Sequence, residues 1–254
     1  MITPIKDEVG VNNCSNVLCD MIPEGSVVDT YAFFGGKTEF DLASERVFIN
    51  AHTISKPVYL FWQCLQYDPY RLSEMISATA PRFSHAEEFE ALQEMWHKHD
   101  SPFIVAAMFF IMNRCSSDGL ISSGCLNPDN YTPLALARLK KFKFPEHFHL
   151  NYDTTDPMEK LKNRSTADFS FIPAGRFSYN LFEYGKNIGI ENTPLNHRRL
   201  SALMQEGEKK IIASYDYHAA IPKVFKGCTL TLIDQHGRQT GDMKVAKEMI
   251  VANF

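Results

Sequence analysis

The sequence predicts an α/β protein, a mainly parallel nucleotide-binding type of sheet carrying a small helical insertion. Three observations predict it. A strand, a glycine turn, a helix and a second strand open the chain. Strands alternating with helices return in the last third. Between them lies a stretch of helical periodicity and long polar loop. The expected boundaries are 1–67 and 151–254 for the α/β core and 68–150 for the insertion.

The opening strand is Gly25 to Phe34, β-branched and aromatic, ending at Gly35-Gly36. Thr38 to Glu45 reads as a helix and Arg46 to Asn50 as a strand. Val58, Phe61, Trp62 and Leu65 have helical spacing within Pro57 to Gln66. In the insertion, Ser84 to His99 is a polar helix with Phe89, Leu92 and Trp96 as its apolar positions, and Pro102 to Asn113 is a strongly apolar one. Arg114 to Thr132 is rich in Ser, Gly, Asn and Pro, and reads as a long loop that is functional or ordered by a ligand. Ala167 to Ile172 and Lys209 to Ser214 read as strands flanking a helix, Asn196 to Glu206. Thr229 to Ile233 and Glu248 to Ala252 alternate like a terminal hairpin.

Composition sets the limits. Of 254 residues, 44% are hydrophobic and 22% charged, which excludes disorder, collagen and coiled coil. The longest apolar run, Phe103 to Met112, falls short of the ~18 residues of a membrane span. The six cysteines are scattered with no CxxC pair, so they read as reduced thiols and no metal site is expected. The N-terminus has no apolar h-region, so a cytoplasmic protein is expected. The net charge of −4 argues against a generic nucleic-acid coat. Cations cluster locally, however, in Arg138-Leu-Lys140-Lys141-Phe-Lys143 and in His197-Arg198-Arg199. Both runs are also compatible with solvated helix faces.

A series of landmarks then falls in order. Phe33-Phe34-Gly35-Gly36 is followed by Phe40, and next comes Arg46-Val-Phe-Ile-Asn50. A helix ends in Asn113-Arg114, with Asp118-Gly119-Leu120 beyond it. Phe169-Ser-Phe-Ile-Pro173 follows, then His197-Arg-Arg-Leu200, Ile211 to Ser214 and Glu248 to Phe254. Over residues 22–254 this order resembles the Dam-like DNA adenine-N6 methyltransferases. The resemblance implies a Rossmann-like class I methyltransferase fold, with the insertion in the target-recognition position. It also implies a base-flipping scaffold, with DNA as partner and no membrane.

The motifs that carry the family's chemistry are replaced. Its Asp-Pro-Pro-Tyr tetrapeptide, which holds the adenine amino group and stacks the extruded base, aligns with Ile172-Pro173-Ala174-Gly175. Ile172 has no acceptor and Gly175 no ring, and one such interaction is worth roughly 10²–10³ in rate. In the cofactor loop, Lys37 stands where a glycine is expected and Tyr31-Ala32 where Glu-Pro is usual. The ribose-binding acid aligns with Ala51, next to Asn50. Losing that acceptor costs roughly 1.5–3 kcal/mol for each charge-assisted bond. Binding of S-adenosylmethionine is therefore doubtful, and the group donor is unknown.

Several polar residues are expected near the crevice at the strand ends. As a cofactor loop the sequence offers Phe34, Gly35, Gly36 and Lys37, with Asn50 and His52 after the second strand. For chemistry it offers Pro173 and Tyr179 around the rebuilt tetrapeptide, and the pair Asp216 and His218 for acid–base work. An aromatic cluster of Phe177, Tyr179, Phe182 and Tyr184 offers stacking or a loop anchor. Arg114, Lys140, Lys141, Lys143 and Arg176 are the expected DNA contacts. Strand-end loops are polar in any protein, so these remain candidates. The expectation is a DNA-directed protein of a base-modification system, plausibly of a bacteriophage, that does not methylate adenine. It is either repurposed for a non-methyl transfer to a DNA base, or an inactive DNA-binding pseudoenzyme or subunit. A genuine methyltransferase with non-standard motifs is a third possibility.

Overall fold

The computed structural model describes residues 2–6, 13–80, 86–116, 125–163, 165–175, 177 and 195–254. Among them one eight-stranded sheet has the order β3-β2-β1-β4-β5-β8-β6-β7. Its parallel half is β1 (Val27–Tyr31), β2 (Phe48–Thr53), β3 (Phe148–Tyr152), β4 (Phe169–Gly175) and β5 (Lys210–Asp216). β6 (Thr229–Asp234), the short β7 (Gln239–Thr240) and β8 (Ala246–Ala252) complete it, and β8 runs antiparallel to both β5 and β6. The chain is thus an α/β protein. Strand order runs outward in both directions from the β1–β4 pair, which makes that pair the topological switch point.

The helices begin where the sequence supplies caps. α1 is Ser15–Met21 and α2 is Lys37–Ser44. α3 (Lys56–Tyr67) starts at Ser55, whose hydroxyl accepts from Val58 N–H at 3.4 Å, with Pro57 in the first turn. α4 (Pro69–Thr79) follows on Asp68, which accepts from Arg71 N–H at 2.9 Å. α5 is Ala86–Met95, and α6 (Pro102–Cys115) is apolar on nearly every side and accordingly buried. α7 (Pro133–Lys141) is capped by Thr132, α8 (Pro157–Lys162) by Asp156 and α9 (His197–Glu206) by Asn196. α10 (Ile221–Val224) is one turn. Crossovers leave β1 and β4 in opposite directions, so right-handed connections set α2 and α9 on opposite faces of the sheet.

The predicted insertion and the core are one packed body. Phe40 of α2 meets Phe33, Trp62, Phe142, Phe144 and Phe148, with ring centroids 4.6–6.0 Å away. Phe109 of α6 reaches Phe34 at 5.9 Å and Phe61 at 5.4 Å. Burial of each such ring is worth about 1.5–3 kcal/mol, so the aromatics fasten α6 and the end of α7 to the sheet. β3 straddles the boundary expected at 150/151, because Phe148 and Leu150 pair with β2. β2 continues past Asn50 to Thr53, so His52 lies within the strand. No helix among the described residues is long and apolar enough to cross a membrane.

Candidate functional site

The β1–α2 loop should cradle a cofactor if one binds at the switch point. Its backbone turns sharply, with φ of 65° at Ala32 and 72° at Gly36. A Cβ on Gly36 would lie 2.6 Å from ring atoms of both Phe33 and Phe40. Gly36 therefore has a packing requirement: only glycine fits beneath two rings at that φ. Every residue from Tyr31 to Gly36 is buried. Phe34 turns its carbonyl to Trp62 Nε1 at 2.8 Å. Lys37 opens α2, and its ammonium donates to Asp41 at 2.9 Å and reaches Ser15 Oγ at 3.5 Å.

Asn50 and His52 belong to a network on the opposite face from Val28 and Thr30. Register puts Asp29 beside Asn50 and Tyr31 beside His52. Asn50 Nδ2 donates to Asp29 Oδ1 at 3.2 Å, and Ser165 Oγ donates to Asp29 Oδ2. His52 stacks on Tyr31 with centroids 5.4 Å apart. Lys160 of α8 joins His52 Nδ1 at 3.1 Å and Asp153 at 2.5 Å. Burial, and then the Lys160 charge, push the His52 imidazole below its ordinary value, so it stays neutral and accepts from the lysine. The hydrogen bond from Lys160, aided by Thr155 N–H, holds the Asp153 carboxyl well below the carboxylate range. Ala51, where the resemblance would place a ribose-binding acid, is fully buried.

This network carries a pH dependence. A histidine depressed in the fold binds its proton more readily when unfolded. Its stabilising effect is present above its ordinary 6.5 and fades as pH falls below that. Thermal unfolding followed from about pH 7.5 to about pH 5 should show the midpoint falling on the acid side. His52→Gln should flatten that fall, and an unchanged profile would show that Lys160 does not keep His52 neutral.

At the other side of the switch point, β4 runs through the rebuilt tetrapeptide to Gly175, which has φ of 60°. Ile172 is fully buried. Pro173 lies beyond the last β1 partner, opposite Ser214 and beside a register shift, so its missing N–H costs no ladder bond to β1. Asp216 is the last residue of β5 and sits opposite Glu248 of β8. His218 is exposed, and its Nδ1 accepts from Ala220 N–H at 3.2 Å. Phe177 stacks on His197 at 4.4 Å and on His218 at 5.0 Å. The ring offered for substrate stacking thus already engages two imidazoles.

His197, read as part of a basic run, is buried in the first turn of α9, with Nδ1 3.1 Å from the hydroxyl of Tyr215. Burial alone raises that phenol, so it keeps its proton. Arg199 pairs with Glu159 of α8, leaving Arg198 exposed. Phe177, Leu195, Asn196, His197, Arg198 and neighbouring aliphatics line a cavity of about 500 Å³. The sequence signalled this site only through Phe177, in the aromatic cluster after the rebuilt tetrapeptide, and through the basic run that begins at His197. Arg176, Tyr179, Phe182 and Tyr184 lie outside the described residues, as does the loop segment 117–124.

The expected DNA contacts divide. Arg114 is turned inward: Nε donates to Pro4 O at 2.8 Å, and a second guanidinium nitrogen donates to the same oxygen. Burial, and then Arg138, lower its affinity for the proton. Beside it, Asn113 and Lys6 exchange two hydrogen bonds of 2.7 and 2.9 Å, so the segment 2–6 is fixed across the end of α6. By contrast, Arg138, Lys140, Lys141 and Lys143 are exposed, and among the described residues none forms a salt bridge. Beside them lies a groove of about 350 Å³.

Comparison with models of known protein families and with curated proteins gave no match. Among the described residues, no group of three or more His, Cys, Asp or Glu side chains is placed to hold a metal ion. The site therefore offers a cationic surface on α7 that is unpaired among the described residues, a closed β1–α2 loop and a mostly apolar cavity after β4.

Proposed function

We propose that this chain is a DNA-directed protein of a base-modification system, built on a class I methyltransferase-like architecture, that binds DNA without methylating adenine. One observation carries the DNA reading: four exposed cations within six residues of α7 and its end, none neutralised by an acid among the described residues. A surface left in that state has lost nothing to internal pairing and is complementary to a phosphate backbone. The doubly wound order around β1 and β4, with a reversed strand beside β5, supports the architectural part. So does the chain of landmarks from Phe33 to Phe254.

The residues present do not fit S-adenosylmethionine. A bound cofactor needs backbone at the glycine turn to approach it, and here Tyr31 to Gly36 are covered. A hydroxyl pair on ribose needs an acceptor, and Ala51 has none. Lys37, Asn50 and His52 are engaged by Asp41, Asp29 and Lys160 respectively. Calorimetry with S-adenosylmethionine should accordingly give no binding heat, and a micromolar dissociation constant would overturn this part. At the chemical position itself, Ile172 offers no acceptor to an amino group and Gly175 no ring to a base.

A second reading is a non-methyl group transfer to a modified base. The cavity of about 500 Å³ after β4 and β5 favours it, since it is the size of a small-molecule site. Exposed Asn196 and Arg198 are its polar edge. Incubation with DNA carrying modified pyrimidines, followed by digestion and mass analysis, separates the readings. A mass increment would establish the transferase, and unchanged nucleosides with intact DNA binding would leave a recognition subunit that works with a protein partner.

A further inference from the structure

The α7 surface has an apolar component that a phosphate contact alone would not require. Leu134, Arg138 and Lys141 recur at i, i+4 and i+7, so they form one outward stripe, while Ala135 and Leu139 are buried on the other side. Leu134 remains 58% exposed on that stripe. Ile2, held near by the segment fixed to α6, is 67% exposed. Together with Ala137 and Phe142 they line the groove of about 350 Å³, and Arg138, Lys141 and Lys143 stand on its rim. Its floor is firm: Phe142 meets Phe40 at 5.2 Å, Trp62 at 5.4 Å and Phe144 at 5.0 Å.

We propose that this groove holds one unpaired nucleotide of a DNA strand. The base lies against Leu134, Ala137 and Phe142, and the flanking phosphates meet Arg138, Lys141 and Lys143. A duplex backbone presents only phosphate and sugar to a protein surface, which would leave the apolar lining unused. An anionic membrane surface is flat, and favours protruding apolar side chains over a concave floor. An unpaired nucleotide combines a planar, weakly polar body with a charged backbone, the combination that single-strand sites meet with stacking surface and cations together. A volume of about 350 Å³ is at the small end of ligand sites, suited to one such unit. The inference rests on the DNA reading above and adds to it a preference for unpaired strand.

The test compares anisotropy of a labelled oligo-dT 12-mer and a labelled 12-base-pair duplex on the full chain, its Leu134→Ser variant and its Lys141→Gln/Lys143→Gln variant. Leu134 is exposed, so its replacement leaves the fold intact, which a thermal melt verifies. The expected result is a loss of roughly five- to tenfold in oligo-dT affinity for Leu134→Ser, with duplex affinity within about twofold, and a loss on both probes for the lysine variant. Equal losses on both probes, or none, for Leu134→Ser would overturn this inference while the lysine result upholds DNA binding. Binding of neither probe would overturn the DNA reading and this inference with it. Binding of phosphatidylglycerol vesicles in place of DNA would overturn both in favour of a membrane surface.

Discussion

Replacing Phe40 by alanine is expected to destabilise the fold by about 3–5 kcal/mol, the range for deleting a buried aromatic side chain. Phe40 is fully buried, and its ring touches five aromatics drawn from the β1–α2 loop, α3, β3 and the chain after α7. The rings around it cannot collapse inward together, because Phe33 and Phe148 belong to the sheet side and Phe142 and Phe144 follow α7. The upper part of the range is therefore expected. Chemical denaturation measures it, and a change under about 1 kcal/mol would show that the helical segment and the sheet are not joined through this cluster. Phe40→Leu should recover part of the loss, since volume is partly kept.

Neutralising Arg138, Lys140, Lys141 and Lys143 together to glutamine is expected to weaken DNA binding by roughly 10²–10³ at about 0.1 M salt. Among the described residues none of the four has a salt bridge to lose, so the melting temperature should barely move. The same substitution at Arg114 should do the reverse. Its guanidinium holds the Pro4 carbonyl, so Arg114→Gln loosens the segment 2–6 and costs stability, with a smaller change in affinity. Equal effects of both on DNA affinity would show that the surface is not centred on α7.

Much of the fold was legible because periodicity is local. The opening strand, α2, α3, α6, α9, β5 and the β6–β8 hairpin follow from spacing and punctuation that neighbouring residues carry. β3 does alternate, Phe148, Leu150 and Tyr152 against His149 and Asn151, but five residues at a sheet edge, close after a basic run, are a short signal that merges with the insertion before them. α4 and α7 carry readable starts, Asp68-Pro69 and Thr132-Pro133, yet their composition resembles the loops beside them. At the site, the Lys37–Asp41 pair lies one helical turn apart and was accessible from sequence. The His52–Lys160 contact joins residues 108 positions apart, and the Phe177 stack depends on three segments meeting. Composition marks such residues as polar or aromatic, but only the fold decides whether they face a ligand or one another.

DNA binding by this chain requires that α7 present its cations to a DNA backbone. Its most direct test is the affinity of the unmodified chain for a duplex, measured by anisotropy across a salt series. With four cations engaged, log affinity should fall against log salt with a slope of about −3.6, near −0.9 for each phosphate contact. A slope near zero, or no binding at low salt, would contradict it.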